Sequence, residues 1–222
     1  ADGIGPVANG LFSPGREGYL EDNGFDPAQD IEGAQALMDE YLAENPGPVE
    51  IKYGTTVSAI NAQIAELLAD YWSEIGVDIE IVQIPQDQYI TKALFGDPDY
   101  EMFGWRSHGG TFVDSQYLWW HSSSAQPDGS LSLNFARLRD PVIDENLEAA
   151  RGEPDAAARD EFAGNVNRQM AAECYNIPVS WTLWGVIRTP EVQNVGIGVL
   201  PDGSGFREAG GFFSLGQVYL SE

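Results

Sequence analysis

The chain has 222 residues, 43% hydrophobic and 11% aromatic, enough to bury a sizeable core as one large domain or two small ones. Lysine and arginine number 11 against 35 aspartates and glutamates, a formal net charge of -24 that argues against nucleic acid as a partner, since binding it needs cations to displace counterions from phosphates. The same acidity fits a solubility or salt-habitat adaptation, or selection of a cationic ligand, and alone marks no site.

Cys174 is the only cysteine, so a disulfide within the chain and a thiol-rich metal cage are both excluded. It lies in the apolar-patterned stretch from Met170 to Val179 and reads as a small core residue without chemistry. No apolar run reaches the length of about 18 residues that a membrane span needs. The opening Ala1-Asp2-Gly3-Ile4-Gly5-Pro6 reads as a loop, not a leader peptide. The expectation is a part of a longer chain whose targeting information lies upstream.

Residues 1–27 are rich in Gly and Pro and carry neither hydrophobic period, which predicts an irregular, extended opening segment. Asp30 is placed to cap a helix in which Ile31, Ala34, Leu37, Met38, Tyr41 and Leu42 recur at spacings of three and four, and Asn45-Pro46-Gly47 ends it. Val49, Ile51 and Tyr53 alternate as in a strand. From Ser58 to Ile75 the residues Ile60, Ile64, Leu67, Leu68, Tyr71, Trp72 and Ile75 form one apolar stripe, with Gly76 placed to end the helix. Val77, Ile79 and Ile81 then alternate with Asp78 and Glu80 in a second strand. Strand, helix and strand at this length make a crossover unit, hence a parallel pair.

A shorter helix from Gln86 to Phe95 and a strand from Tyr100 to Trp105 repeat the alternation, which predicts an α/β layer. Residues 106–136 carry no long period. Helices are expected again at about 140–151 and 155–173, the second capped by Asp155 with Phe162, Val166 and Met170 four apart. Ile177 to Ile187 reads as a strand led by Pro178, and the Gly-rich tail ends in apolar Phe212-Phe213-Ser214-Leu215 and Val218-Tyr219-Leu220.

Ligands of open α/β sheets bind beyond the carboxyl ends of the strands. The strand ending at Trp105 leads directly into Arg106, Ser107 and His108, which are therefore candidate ligand-binding residues. Arg106 suits a carboxylate or phosphate held in bidentate fashion, or equally a pairing with one of many surface acids. Trp105, Trp119 and Trp120 offer flat faces for stacking on a ligand, and core packing explains them as well. His108 and His121, thirteen apart without a further ligand pair at metal spacing, make a poor metal signal. Nucleophile elbow, His-Glu-x-x-His and phosphate-cradling loop are all absent from the sequence, so no catalytic residue and no cofactor is assigned.

Several segments, taken in order, resemble the carboxy-terminal part of the family 5 extracellular solute-binding proteins, the dipeptide, oligopeptide and nickel binders of ABC importers. Gly5-Pro6-Val7 through Pro14 resembles a loop of that family, and Phe25-Asp26-Pro27 with Ala34-Gln35-Ala36-Leu37-Met38 resembles its following helix. Gln63 to Leu68 with Ile75-Gly76-Val77-Asp78-Ile79, and Tyr100-Glu101-Met102-Phe103-Gly104-Trp105, match its next helix and strands. Asn134-Phe135, Asp140-Pro141-Val142-Ile143-Asp144, Leu147, Arg159 through Gln169, and Ile177-Pro178-Val179 match the remainder.

The resemblance implies an α/β chain forming one lobe of a two-lobed, type II periplasmic-binding-protein-like fold, a mixed sheet flanked by helices. The lobe would occupy residues 28–190 after the irregular segment 1–27, with 191–222 returning towards a missing amino-terminal lobe. It implies the substrate-binding component of an ABC importer, periplasmic or at the cell surface, with a small-molecule or peptide ligand and the permease transmembrane subunits as partners, and no direct membrane insertion. Peptide-binding relatives carry an acid where this sequence has His108, which removes the anionic partner of a peptide's amino terminus. Asp114 stands where relatives have an Asp-Pro pair, but Ser115 replaces the proline. The candidate ligand-binding set is thus Trp105, Arg106, Ser107, His108, Asp114 and Trp119. Without the resemblance, a protein-interaction domain or a carbohydrate-active enzyme domain would fit the patterning equally well.

Overall fold

A computed structural model of the chain describes residues 6–106, 113–182, 187–195 and 215–221. The chain divides into two compact units: one is formed by Ala28–Ser107 and Ser122–Leu138, the other by Ala1–Pro27, His108–His121 and Arg139–Glu222.

The first unit is built on crossovers. Asp30 accepts a hydrogen bond from the Gly33 N–H at 2.9 Å and starts α1 (Ile31–Glu44), which Asn45 closes by donating its backbone N–H to Tyr41. Strand β1 (Val49–Thr56) leads through the Ser58 cap into α2 (Ala59–Ser73), and Gly76, at φ +82°, makes the turn into β2 (Val77–Ile84). This positive φ is the conformation that favours glycine. β1 and β2 are parallel, with Val49 opposite Val77 and Thr56 opposite Ile84. After α3 (Gln86–Phe95), β3 (Met102–Phe103) joins the other side of β1, again parallel, at Tyr53 and Gly54. The order is therefore β2-β1-β3. Val77, Ile84, Ala65, Tyr53, Tyr89 and Ala93 are buried where strands and helices meet.

The second unit is mainly helical. A 3-10 turn over Val113–Gln116 runs into the single turn α4 (Tyr117–Trp120). Asp140 and Asp155 cap α5 (Pro141–Gly152) and α6 (Ala156–Ala172), whose facing sides bury Ile143, Leu147, Ala150, Ala163, Val166 and Met170. The irregular opening segment is fastened to α6 by polar contacts. Asn167, wholly buried, accepts from Leu11 N–H at 3.0 Å and from Asn23 at 3.1 Å and donates to the Gly18 carbonyl at 3.0 Å. Arg159 grips Glu17 at 2.7 Å, and Asp160 accepts the Gly18 N–H at 2.7 Å. These bonds replace the backbone ladder that a segment without regular structure lacks.

Several expectations need correction. The strand expected over Tyr100 to Trp105 is limited to Met102 and Phe103, because only Tyr53 and Gly54 of β1 pair with it. Ile177 to Ile187 forms no strand among its described residues; a single antiparallel bridge joins Ser180 to Val7, and residues 183–186 of that stretch lie outside the described set. Cys174 is exposed, at φ +51° just past the end of α6, and not a core residue. Its position in an apolar run is overridden by the left-handed turn that ends the helix. The tail contributes β5 (Tyr219–Leu220), antiparallel to β4 (Val192–Gln193), yet Leu220 is 75% exposed; Phe212 and Phe213 lie outside the described residues. The apolar stripes on α1 and α2 are only partly used. No residue of α1 is buried, and α2 buries only Ala65 while Ile60 and Leu67 are exposed.

Candidate functional site

In the order β2-β1-β3 the chain leaves β1 to one side for β2 and returns to its other side for β3. The direction of winding reverses between β1 and β3, and in open α/β sheets ligands bind at the carboxyl ends of the strands flanking such a reversal. The carboxyl end of β3 is Phe103, and the chain emerges there as Gly104, Trp105 and Arg106.

That exit is tightly built. The Gly104 N–H donates to the Gly54 carbonyl at 3.0 Å, and the Tyr89 hydroxyl on α3 donates to the Gly104 carbonyl. Both backbone groups of Gly104 are thus held. A Cβ on Gly104 would lie 2.2 Å from the Tyr53 hydroxyl, and one on Gly54 would lie 2.7 Å from the Phe103 ring, so both positions exclude a side chain. Burial pushes the Tyr53 phenol up, and burial followed by its proximity to Tyr53 pushes Tyr89 up, so both remain neutral hydroxyls. Trp105 stacks on Tyr89 with ring centroids 5.7 Å apart and meets Phe135 at 5.0 Å. Phe135 is brought there by the loop over residues 122–138. Arg137 braces this loop by donating to the carbonyls of Phe135 at 3.0 Å, Ser130 at 3.0 Å and Leu94 at 3.3 Å, with Asp128 within ion-pair range at 3.5 Å.

Beyond this aromatic platform Arg106 is exposed. The other described cations are engaged. Lys52 pairs with Glu80, Lys92 with Asp97 at 2.6 Å, Arg137 with Asp128, Arg151 with Asp114 and Arg159 with Glu17. Arg168 and Arg188 donate to an amide and a carbonyl, and Arg16 and Arg139 also have partners. Among the described residues, Arg106 alone of the cations makes neither an ion pair nor a hydrogen bond.

The other candidates stand differently. Ser107 and His108 lie outside the described residues. Asp114 belongs to the second unit, where its carboxylate pairs with Arg151, whose guanidinium lies 3.6 Å over the Tyr117 ring. Tyr117 in turn stacks on the buried His121 at 4.0 Å, and His121 Nε2 lies 3.2 Å from Glu148 and 3.8 Å from Asp144. This chain of contacts fastens the turn of α4 to α5. Trp119 is half-buried on α4, and the Trp120 indole donates to Gln116 at 3.1 Å. No three His, Cys, Asp or Glu side chains among the described residues are arranged to hold a metal ion. A recess lined by Asn9, Asn23, Asn167 and Asn176 in the second unit has space for roughly one water molecule and is too small for a solute. Sequence reasoning missed Tyr53, Gly54, Tyr89, Gly104 and Phe135 as supports of the site. The signal was present in the two glycines, since a glycine within or ending a strand marks a close approach.

A parallel sheet with a reversal of winding, whose strand end carries a braced aromatic and an exposed cation, is the arrangement at which open α/β sheets commonly bind ligands. Comparison with known proteins agrees: the family model described as bacterial extracellular solute-binding proteins, family 5 Middle, matches residues 1–128. The chain belongs to the bacterial extracellular solute-binding proteins of family 5. It is 26% identical over 163 residues to the dipeptide-binding protein of Escherichia coli K12, covering 72% of this chain and 30% of that one. Among solved structures, the periplasmic binding protein DppA of Helicobacter pylori, in complex with the peptide STSA, matches all of this chain and 40% of its own length at a TM-score of 0.75 and 20% identity. MoaA of A. tumefaciens R10, in complex with mannopinic acid, matches 81% of this chain and 35% of its own at 0.66 and 18% identity. The chain therefore spans 30% to 40% of the length of these relatives. It shares the type II periplasmic-binding-protein fold as a partial domain. Among the described residues, no helix is long and apolar enough to cross a membrane.

Proposed function

We propose that this chain is part of the substrate-binding component of an ABC importer, which captures a small extracytoplasmic solute and presents it to the permease without altering it chemically. The observation that carries this reading is the switch point between β1 and β3, with Trp105 and Arg106 presented from a braced strand end. Support for a peptide-like solute comes from the dipeptide-binding relative and the peptide held by the H. pylori protein. Support for a small acid comes from the mannopinic acid held by MoaA. Trp105, with two ring neighbours already in place, serves chiefly to fix the direction in which the following residues leave the sheet.

In this reading the solute is enclosed when a further lobe closes over the sheet end, and the closed form is what the permease distinguishes, because only a state-dependent surface reports occupancy. Segment 191–222 would run back towards that lobe. A thermal-shift screen of the intact protein against peptides, acidic conjugates and oligosaccharides tests the proposal. A solute that binds only the folded state raises the melting midpoint, by an amount that grows as its concentration exceeds Kd, and is recovered unchanged. Failure of every class to raise the midpoint, or recovery of a hydrolysed solute, would contradict it.

A further inference from the structure

Resting on the solute-binding reading above, we infer that Arg106 is the anchor for an oxyanion of the solute, a carboxylate or a phosphate, so that the protein selects acidic solutes. The composition offers 35 acids to 11 cations, and the other described cations all have partners. Arg106 alone among them has no partner, although a guanidinium gains from bidentate pairing more than any other side chain.

Its position explains what it is kept for. The residue follows directly on Trp105, whose ring is fixed against Tyr89 and Phe135, and on Gly104, whose N–H and carbonyl are both bonded. The backbone that carries Arg106 is thus fixed at the carboxyl end of β3, next to the strand across which winding reverses. A cation carried at a switch point on a fixed strand end meets the ligand's charge with only its own side chain left to order. The negative field of the rest of the protein adds selectivity: it repels anions elsewhere on the surface, so an acidic solute gains only where this cation offsets that field.

The test uses the intact protein and matched probes that differ only in charge: acetyl-dialanine and its carboxamide, galacturonate and galactose, glucose 6-phosphate and glucose. The expected result is that the acid of at least one pair binds and its neutral partner binds at least tenfold more weakly. Arg106→Gln should weaken the acid roughly 10- to 100-fold and leave the melting midpoint of the free protein unchanged, while Arg106→Lys restores part of the loss. Which pair responds distinguishes a carboxylate from a phosphate. Acid and neutral probes of equal affinity, or an acid whose affinity Arg106→Gln leaves within twofold, would overturn the anchor while solute binding stands. A neutral peptide or oligosaccharide that binds with no acidic probe doing so would overturn it too. If nothing in the wider screen binds, the solute-binding reading falls with it.

Discussion

Asp140, only 5% exposed at the start of α5, accepts four hydrogen bonds: from the N–H groups of Val142 at 2.7 Å and Ile143 at 3.0 Å, from Gln169 at 2.9 Å and from the Tyr175 hydroxyl at 2.8 Å. Burial by itself pushes this carboxyl up, but the bonds from Gln169, Ile143, Tyr175 and Val142 outweigh it and bring it below its ordinary 3.8. A carboxyl lowered on folding adds stability above its unfolded value and loses it as pH falls through the folded one. Asp140→Asn should therefore cost about 1–3 kcal/mol at neutral pH and flatten the loss of stability below about pH 4, measured by urea unfolding across pH. The same contact acts on Tyr175, whose phenol is pushed up to about 12, first by its hydrogen bond to Asp140 and then by burial. Its share of stability is complete below the ordinary 10.0 and fades as pH rises through about 12, and in the Asn variant its titration should return towards the ordinary value. Little of this was legible in the sequence. Asp140-Pro141 reads as a helix start, but Gln169 and Tyr175 lie 29 and 35 residues further on, with no period linking them to it.

At the scale of elements, periodicity and capping gave the longer helices and the parallel β1-α2-β2 crossover, because Asp30, Asp155 and Gly76 are local signals with local causes. The extent of β3 and the absence of a strand in the described part of 177–187 were not legible, since strand length depends on which distant residues pair. The apolar stripes of α1 and α2 predicted helix but not burial: Leu37 is 69% and Ile60 62% exposed, because a periodic face states what a helix can bury and not what lies against it. The braced end of β3 gives the sharpest element-scale prediction. Gly104→Ala places a methyl 2.2 Å from the Tyr53 hydroxyl and must displace either the strand or the ring. It should destabilise the protein by about 1–3 kcal/mol, and the indole emission of Trp105 should shift as its contact with Tyr89 loosens. Unchanged stability and emission would show that the strand end is not fixed as described.

For the whole molecule, the family was legible because ordered segments match it across nearly the whole chain, even though each segment alone occurs in many folds. The candidate site at Trp105 and Arg106 follows in the sequence from the predicted strand end and the rule that ligands bind past carboxyl ends. What singles out Arg106 was not legible there. Composition gives every cation an excess of acids, and only the fold separates the cations that are paired from the one that is exposed without a partner among the described residues. The central claim is that solute is held at the carboxyl end of β3, and amide hydrogen exchange of the intact protein with and without a bound solute tests it most directly. Exchange at Gly104, Trp105 and Arg106 should slow on binding, by a factor that grows with occupancy, while α6 is unchanged. Slowed exchange confined to other segments, with these three amides unaffected at saturating solute, would contradict the account.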